Sequence, residues 1–224
     1  MQDSGTLILE KYRRAAAEQP GESDYGYRGL SIHAWRGVHE CVGSMASRVL
    51  PPGSRIIDMA AGSGAMCLRL KDAGFAVTGC DLVRENFRLN DTVPFVTANL
   101  NHDFSAQFSE PFDAITAAEI IEHLENPRHF LRQCLALLKP GGYLILTTPN
   151  VDSALARAIW VRSGTFKWFT ERDYRNEGHI TPLPLMVLRN AMTEAGFTIM
   201  EVTSVGEQKT SFMSWWKMYA LAAV

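Results

Sequence analysis

Arg55-Ile56-Ile57-Asp58-Met59-Ala60-Ala61-Gly62-Ser63-Gly64 is the stretch on which the fold turns. Its first half reads as a short apolar strand ending in an acid, and its second half as a glycine-bearing turn that opens a helix. Glycine lets a backbone approach a ligand where a Cβ would collide, and the helix start adds unpaired N–H groups. Asp58 narrows the ligand. A carboxylate at this mouth repels a pyrophosphate but suits a nucleoside whose far end carries a cationic amino-acid group. Downstream, Ala76-Val77-Thr78-Gly79-Cys80 reads as a second strand and ends in Asp81, an acid placed to accept from two ribose hydroxyls.

Working outward, strand and helix patterns alternate. Strands are predicted at 55–59, 76–80, 93–97, 112–117 and 142–148, with helices at 64–73, 84–89 and 127–138 and a short turn near 104–108. Such spacing implies parallel strands joined by right-handed helical crossovers. The helix at 127–138 has Asn126 as N-cap, Pro127 at its first position, and Phe130, Leu131, Cys134, Leu135 and Leu138 along one face. A helix at 184–195 and a strand at 197–204 resume the pattern after an interruption. The apolar end, Phe212 to Leu221, either packs on the core as a final strand or helix or leads into further chain.

Four stretches follow within a single domain: a helical preface at 1–50, a core at 51–150, an insert at 151–183 and a completion of the sheet at 184–224. In the preface, Leu7 to Glu18 has helical spacing, Tyr25-Gly26-Tyr27-Arg28-Gly29 forms a loop, and a helix runs from His33 to Leu50. In the insert, Trp160, Phe166, Trp168, Phe169 and Tyr174 interleave with Arg157, Arg162, Lys167, Arg172 and Arg175. It reads as a lid over an acceptor pocket, as a membrane-facing element, or as plain packing.

The 224 residues carry a net charge of −2, spread without a basic block: 1–50 holds six basic and six acidic residues, 51–150 eight and eleven, 151–224 eight and seven. That distribution argues against a nucleic-acid partner. Cys41, Cys67, Cys80 and Cys134 form no C-x-x-C pair, which suits free thiols in a reducing, cytoplasmic setting. No stretch reaches the ~20 apolar residues of a bilayer span.

Residues 56–81 resemble the cofactor-binding core of the class I S-adenosylmethionine-dependent methyltransferases, with Ala60 standing where the first glycine of the strand–acid–x–G–x–G–x–G pattern is usual, then Gly62 and Gly64. The likeness runs on through Phe112 to Glu119 and Leu138-Lys139-Pro140-Gly141-Gly142 to Pro149-Asn150, in order and at the expected separations. It implies an α/β, Rossmann-like, seven-stranded and mostly parallel sheet with helices on both faces. It also implies S-adenosylmethionine as cofactor and S-adenosylhomocysteine as product. On that reading Asp58 holds the methionyl ammonium, Ala60, Gly62 and Gly64 pass close to the cofactor, and Asp81 with Leu82 meets the ribose. Asn99 and Leu100 then meet the adenine, and Ala117, with Ala118 after it, lies beside the sulfonium.

Methyl transfer needs alignment and, for a hydroxyl acceptor, a base. Two histidines are candidates. His179 lies in Glu177-Gly178-His179-Ile180-Thr181-Pro182, which is similar to a stretch in bacterial methyltransferases encoded with cell-surface glycan genes. His123 matches a Glu-His pair in quinone-pathway O-methyltransferases. His179 is preferred. Tyr25, Tyr27, Trp168 and Tyr174 are candidate acceptor contacts. His33, His39, His102 and His129 show no ligand spacing, so no metal is expected. The acceptor is read as a small molecule, glycan precursor or lipid, with peripheral membrane contact through 152–180 or the C-terminus as one option. N-methylation and a catalytically weak cofactor-binding module of the same fold stay open. A nicotinamide oxidoreductase is disfavoured, because Cys67 occupies the place of its last glycine.

Overall fold

The computed structural model describes Lys11, residues 25–205 and the backbone of 217–223. A hairpin of β1 (Gly26–Tyr27) and β2 (Leu30–Ser31) precedes helix α1 (Val38–Val49). The core follows as β3 (Arg55–Met59), α2 (Ala65–Asp72), β4 (Ala76–Asp81), β5 (Phe95–Thr97), β6 (Phe112–Ala118), α3 (Pro127–Leu137) and β7 (Leu138–Pro149). The insert holds α4 (Ala154–Ser163) and α5 (Glu171–Glu177). The chain then returns through α6 (Leu185–Ala195), β8 (Thr198–Val205) and β9 (Lys217–Ala223).

Seven strands form one sheet in the order β5-β4-β3-β6-β7-β9-β8. The first five run parallel, and β9 is antiparallel to both β7 and β8. The expected mostly parallel seven-stranded sheet is therefore present. Of the apolar C-terminal segment, Lys217 onward forms β9 between β7 and β8, while residues 212–216 lie outside the described residues.

Period-two alternation sends successive strand residues to opposite faces. Ile57, Met59, Ile115, Ala117, Leu144 and Leu146 pack with α3 and α6 on one side. Ile56, Ala114 and Ile145 pack with α1 and α2 on the other. Asp58 shares its strand face with Ile56, so the acid is delivered to the α1/α2 side.

Several local expectations need correction. The helix expected over 84–89 is a single 3₁₀ turn, Arg84–Asn86. The chain leaves it extended so that Phe87, 1% exposed, can plug the space under the glycine turn; its ring meets Phe95 at 4.6 Å. The helix expected from His33 begins at Val38, behind Gly37 in left-handed backbone. The loop expected over Tyr25–Gly29 contains strand β1, and only Arg28-Gly29 forms the turn of the small hairpin. The helical spacing at Leu7–Glu18 lies outside the described residues apart from Lys11, which is helical. Among the described residues no helix is long and apolar enough to cross a membrane.

Candidate active site

The parallel strands end together above Asp58, and a cleft with about 380 Å³ of open space lies there. Asp58, Ala60, Gly62 and Ala118 line it from the sheet edge, and Ser31 and His39 line it from the hairpin and α1. The turn that shapes the cleft is built from unusual backbone. Ala60 has φ +60°, Gly62 +52° and Gly64 +92°. A Cβ on Gly62 would project into open space, so the turn presents bare main chain to the cleft. A Cβ on Gly64 would come within 2.9 Å of Leu89, so the second glycine serves packing instead.

Asp58 is 2% exposed. It accepts from the Thr116 hydroxyl at 2.8 Å and from the Cys67 thiol at 3.4 Å. Thr116 is its register partner on β6, so sheet pairing itself orients the carboxylate. Burial pushes its carboxyl up to about 7, and no described cation pairs with it. A buried acid in that condition gains most from an arriving ammonium. This fits the amino-acid end of S-adenosylmethionine.

Asp81, also buried, accepts from the backbone N–H of Gly62 at 2.8 Å and of Val83 at 3.1 Å. Burial raises its pKa, and hydrogen bonds from Gly62, Val83 and Leu82 act against that rise. Those three donors leave the carboxylate room to accept from a ribose hydroxyl. Asp81 thus braces the glycine turn across the β3–β4 step. Asn99 uses its side-chain oxygen to accept from the Asn101 N–H at 3.0 Å, and Leu100 is buried. Neither lines the cleft, nor do Asp81 and Leu82; these residues stand along the neighbouring strand ends.

The Ala117 assignment needs correction: its side chain is fully buried in the α3/α6 core, and alternation turns its neighbour Ala118 to the cleft. Tyr25 and Tyr27 point elsewhere as well. The Tyr25 hydroxyl bonds Glu40 at 2.9 Å, and the Tyr27 hydroxyl bonds Asp72 at 2.8 Å while Arg69 lies 4.3 Å over its ring. They fasten the hairpin to α1 and α2. Preface and insert meet instead through Trp35 and Trp168, edge to face at 5.9 Å. Tyr174, on α5, is 45% exposed.

Beyond Ala118, a 3₁₀ turn at Ile121–His123 carries the second half of the site. The His123 and His179 rings meet at 4.9 Å in a T-shape. His123 Nδ1 lies 3.0 Å from the Gly178 carbonyl, and His179 Nδ1 lies 2.7 Å from the Trp168 carbonyl. A carbonyl only accepts, so each Nδ1 carries the proton and each Nε2 keeps a lone pair. Burial lowers the His123 pKa to about 3 and also lowers that of His179. Trp168 itself stands in left-handed backbone, φ +72°.

Beside them Glu122 is fully buried, accepts from the Thr148 hydroxyl at 3.1 Å, and leaves Oε1 without a partner. Burial raises its carboxyl to about 8. Glu122, His123 and His179 offer donor atoms within 4.8 Å of one another, a grouping that could hold a metal ion. The expectation that no such cluster exists is corrected here. Its members lie 57 positions apart and meet only because the 178–181 loop docks on the turn. Sequence reading also passed over Ser31, and weighed His39 only as a metal ligand. The one available signal was that His39 shares a helical stripe with Val42 and Ala46 in α1.

Residues 34–202 match the methyltransferase domain family. Among curated relatives, a ubiquinone biosynthesis O-methyltransferase of Xanthomonas campestris pv. campestris (strain B100) is 35% identical over 123 residues, covering 51% of this chain and 52% of the relative. One from Maricaulis maris (strain MCS10) is 30% identical over 155 residues, covering 66% and 60%. The chain thus spans about half the length of the first of these relatives. Among solved structures, a Burkholderia thailandensis 1,6-didemethyltoxoflavin-N1-methyltransferase with bound 1,6-didemethyltoxoflavin and S-adenosylhomocysteine superposes with a TM-score of 0.66. It is 16% identical and covers 98% of this chain and 86% of its own. At that identity the likeness speaks for the fold alone. Family match, strand order and paired strand-end acids agree: the chain belongs to the class I S-adenosylmethionine-dependent methyltransferases.

Proposed function

We propose that this protein transfers a methyl group from S-adenosylmethionine to a hydroxyl of a small molecule, with His179 as the base. The observation that carries the reading is the pair of imidazoles just beyond the cleft, each fixed by a backbone carbonyl so that its Nε2 lone pair is free. The bound cofactor supplies an electrophilic methyl carbon on sulfur. Asp58 holds the amino-acid end, the glycine turn and Asp81 fix the nucleoside, and the acceptor sits over Ala118. His179 takes the hydroxyl proton on Nε2, because it is more open than the buried His123. The names of the curated relatives support oxygen as the acceptor atom.

Within the acceptor class, a glycan or lipid remains part of this proposal. On α4, Trp160 (50% exposed) and Val161 (79% exposed) stand with Arg157 and Arg162, a surface suited to a lipid-bearing acceptor at an anionic membrane. The test is turnover with labelled methyl donor on matched hydroxyl and amine acceptors, for the wild type and His179→Ala. The expected result is transfer to hydroxyls and a ~10²-fold fall in turnover for the variant, with unchanged product affinity. Transfer to amines alone, or an undiminished variant, would reject the assignment.

A further inference from the structure

A lysine from the preface stands beside the two imidazoles. The Lys11 ammonium pairs with the Glu177 carboxylate at 3.1 Å. Glu177 opens the Glu177-Gly178-His179 stretch, and the Gly178 carbonyl receives His123. Lys11 is therefore fastened to the loop that presents both rings. Its charge reaches His33, His123 and His179, and makes each of them harder to protonate. His33 lines the cofactor cleft, so the field of this one ammonium covers the interval between that cleft and the histidine pair. Lys167 adds a second ammonium next to the residue that orients His179. Its Nζ lies 4.6 Å from the centre of the Trp168 ring, and the Trp168 carbonyl receives the His179 N–H. Burial lowers the Lys167 pKa to about 8, and a partly dehydrated ammonium attracts an anion more strongly than one in bulk water.

Neither the fold nor the base gains much from Lys11. The Lys11 and Glu177 side chains are 36% and 57% exposed, and ion pairs so open to water contribute little to stability. A positive charge beside a base also opposes proton uptake; on His179, Glu177 and Asp173 act against that effect. No lysine or arginine is among the described residues that line the cofactor cleft, so these two ammonium groups belong to the acceptor end of the site. We propose that the hydroxyl acceptor carries an anionic group, a carboxylate or a phosphate, and that Lys11 binds it beside His179 in exchange for Glu177. The exchange gives up only a solvent-exposed pair. The incoming anion then cancels the charge that hinders proton transfer to the imidazole, so the group that anchors the acceptor also assists the base.

This inference rests on the reading of His179 as base for a hydroxyl, and the experiment separates the two. Labelled methyl transfer would compare 4-hydroxybenzoate with its methyl ester, and glucose 6-phosphate with glucose, on the wild type, Lys11→Met and Lys11→Arg. The readout is the ratio of kcat/KM between the anionic and the neutral member of each pair. The first pair reports on a carboxylate and the second on a phosphate. In the wild type at least one ratio should be ~10 or more; Lys11→Met should bring it to about 1, chiefly through KM, and Lys11→Arg should retain it. A second measurement needs no turnover. With the wild type saturated in S-adenosylhomocysteine, titration with benzoate or inorganic phosphate should shift the nitrogen-15 signals of the His179 ring, and in Lys11→Met it should not. Ratios near 1 in the wild type, ratios unmoved in Lys11→Met, or ring signals that neither anion shifts would overturn the anion site while leaving the base in place. Transfer confined to amines, with a ratio that still collapses in Lys11→Met, would reject the hydroxyl reading and keep the anion site.

Discussion

Replacing Asp58 by asparagine should stabilise the unliganded protein, and the gain should grow with pH. The folded carboxyl titrates near 7 against an ordinary value of 3.8, because burial outweighs the Thr116 and Cys67 hydrogen bonds. A raised acid pKa means that the folded state holds its proton more tightly than the unfolded one. Stability is therefore lost as pH climbs from 3.8, and the full cost, roughly 4 kcal/mol, is in force above about pH 7. At about pH 5.5 the folded carboxyl is still protonated and the cost is roughly 2 kcal/mol, so about 2 kcal/mol separates that pH from about pH 8.5. Asparagine keeps an oxygen for the Thr116 hydroxyl and has no charge to desolvate. Thermal unfolding of both proteins at those two pH values isolates the effect, since pH-independent consequences of the substitution cancel. The variant's advantage should widen by about 4–8 °C at the higher pH. In the same variant S-adenosylhomocysteine should bind at least ~10-fold more weakly, because an ion pair becomes a neutral contact. An advantage that stays flat or shrinks with pH would show that Asp58 is not the desolvated group described above.

Three further outcomes follow from the same geometry. Asp81→Ala removes the brace on Gly62 and Val83, and should weaken S-adenosylhomocysteine binding by a few kcal/mol in calorimetry; unaltered affinity would contradict its placement. Ala60→Gly should leave the melting temperature unchanged or raise it, because relief of the +60° backbone offsets the usual ~1 kcal/mol glycine penalty. Gly64→Ala should cost ~1–3 kcal/mol, since its Cβ would meet Leu89 and Phe87 at φ +92°. The reverse order in chemical denaturation would remove the argument from backbone strain. His123→Gln should flatten the acid limb of stability. The wild-type imidazole, lowered from 6.5 to about 3, contributes stability above 6.5 that is lost as pH falls, roughly 2–3 kcal/mol by about pH 4.5. Melting curves that fall equally steeply in both proteins would count against a buried neutral ring.

Much of the sheet was legible because its strands obey local rules. Ile56-Ile57 before Asp58, and the capped helix after Asn126, advertise themselves within a few residues. What failed was of another kind. Ala117 and Ala118 differ by one step of strand alternation, and only pairing with β3 and β7 says which of the two faces the cleft. Phe87 ended its predicted helix because a tertiary cavity under Gly64 and Gly79 claimed the ring, a demand no propensity records. Tyr25 and Tyr27 carry the right chemistry for a pocket, but Glu40, Asp72 and Arg69 hold them elsewhere. The Glu122, His123 and His179 grouping depends on a loop that travels back across 57 positions, so spacing along the chain was blind to it.

That loop ties down one end of the insert. The Glu122 carbonyl accepts from both Ile180 and Thr181, the Thr181 hydroxyl bonds the Leu124 carbonyl, and the Gly178 carbonyl receives His123. Four bonds rivet the downstream end of the insert to the sheet edge. At the upstream end Asp152 accepts from the Leu185 N–H at 2.7 Å and Val151 is buried, so the insert is moored to the core on both sides, and the downstream mooring carries the histidines.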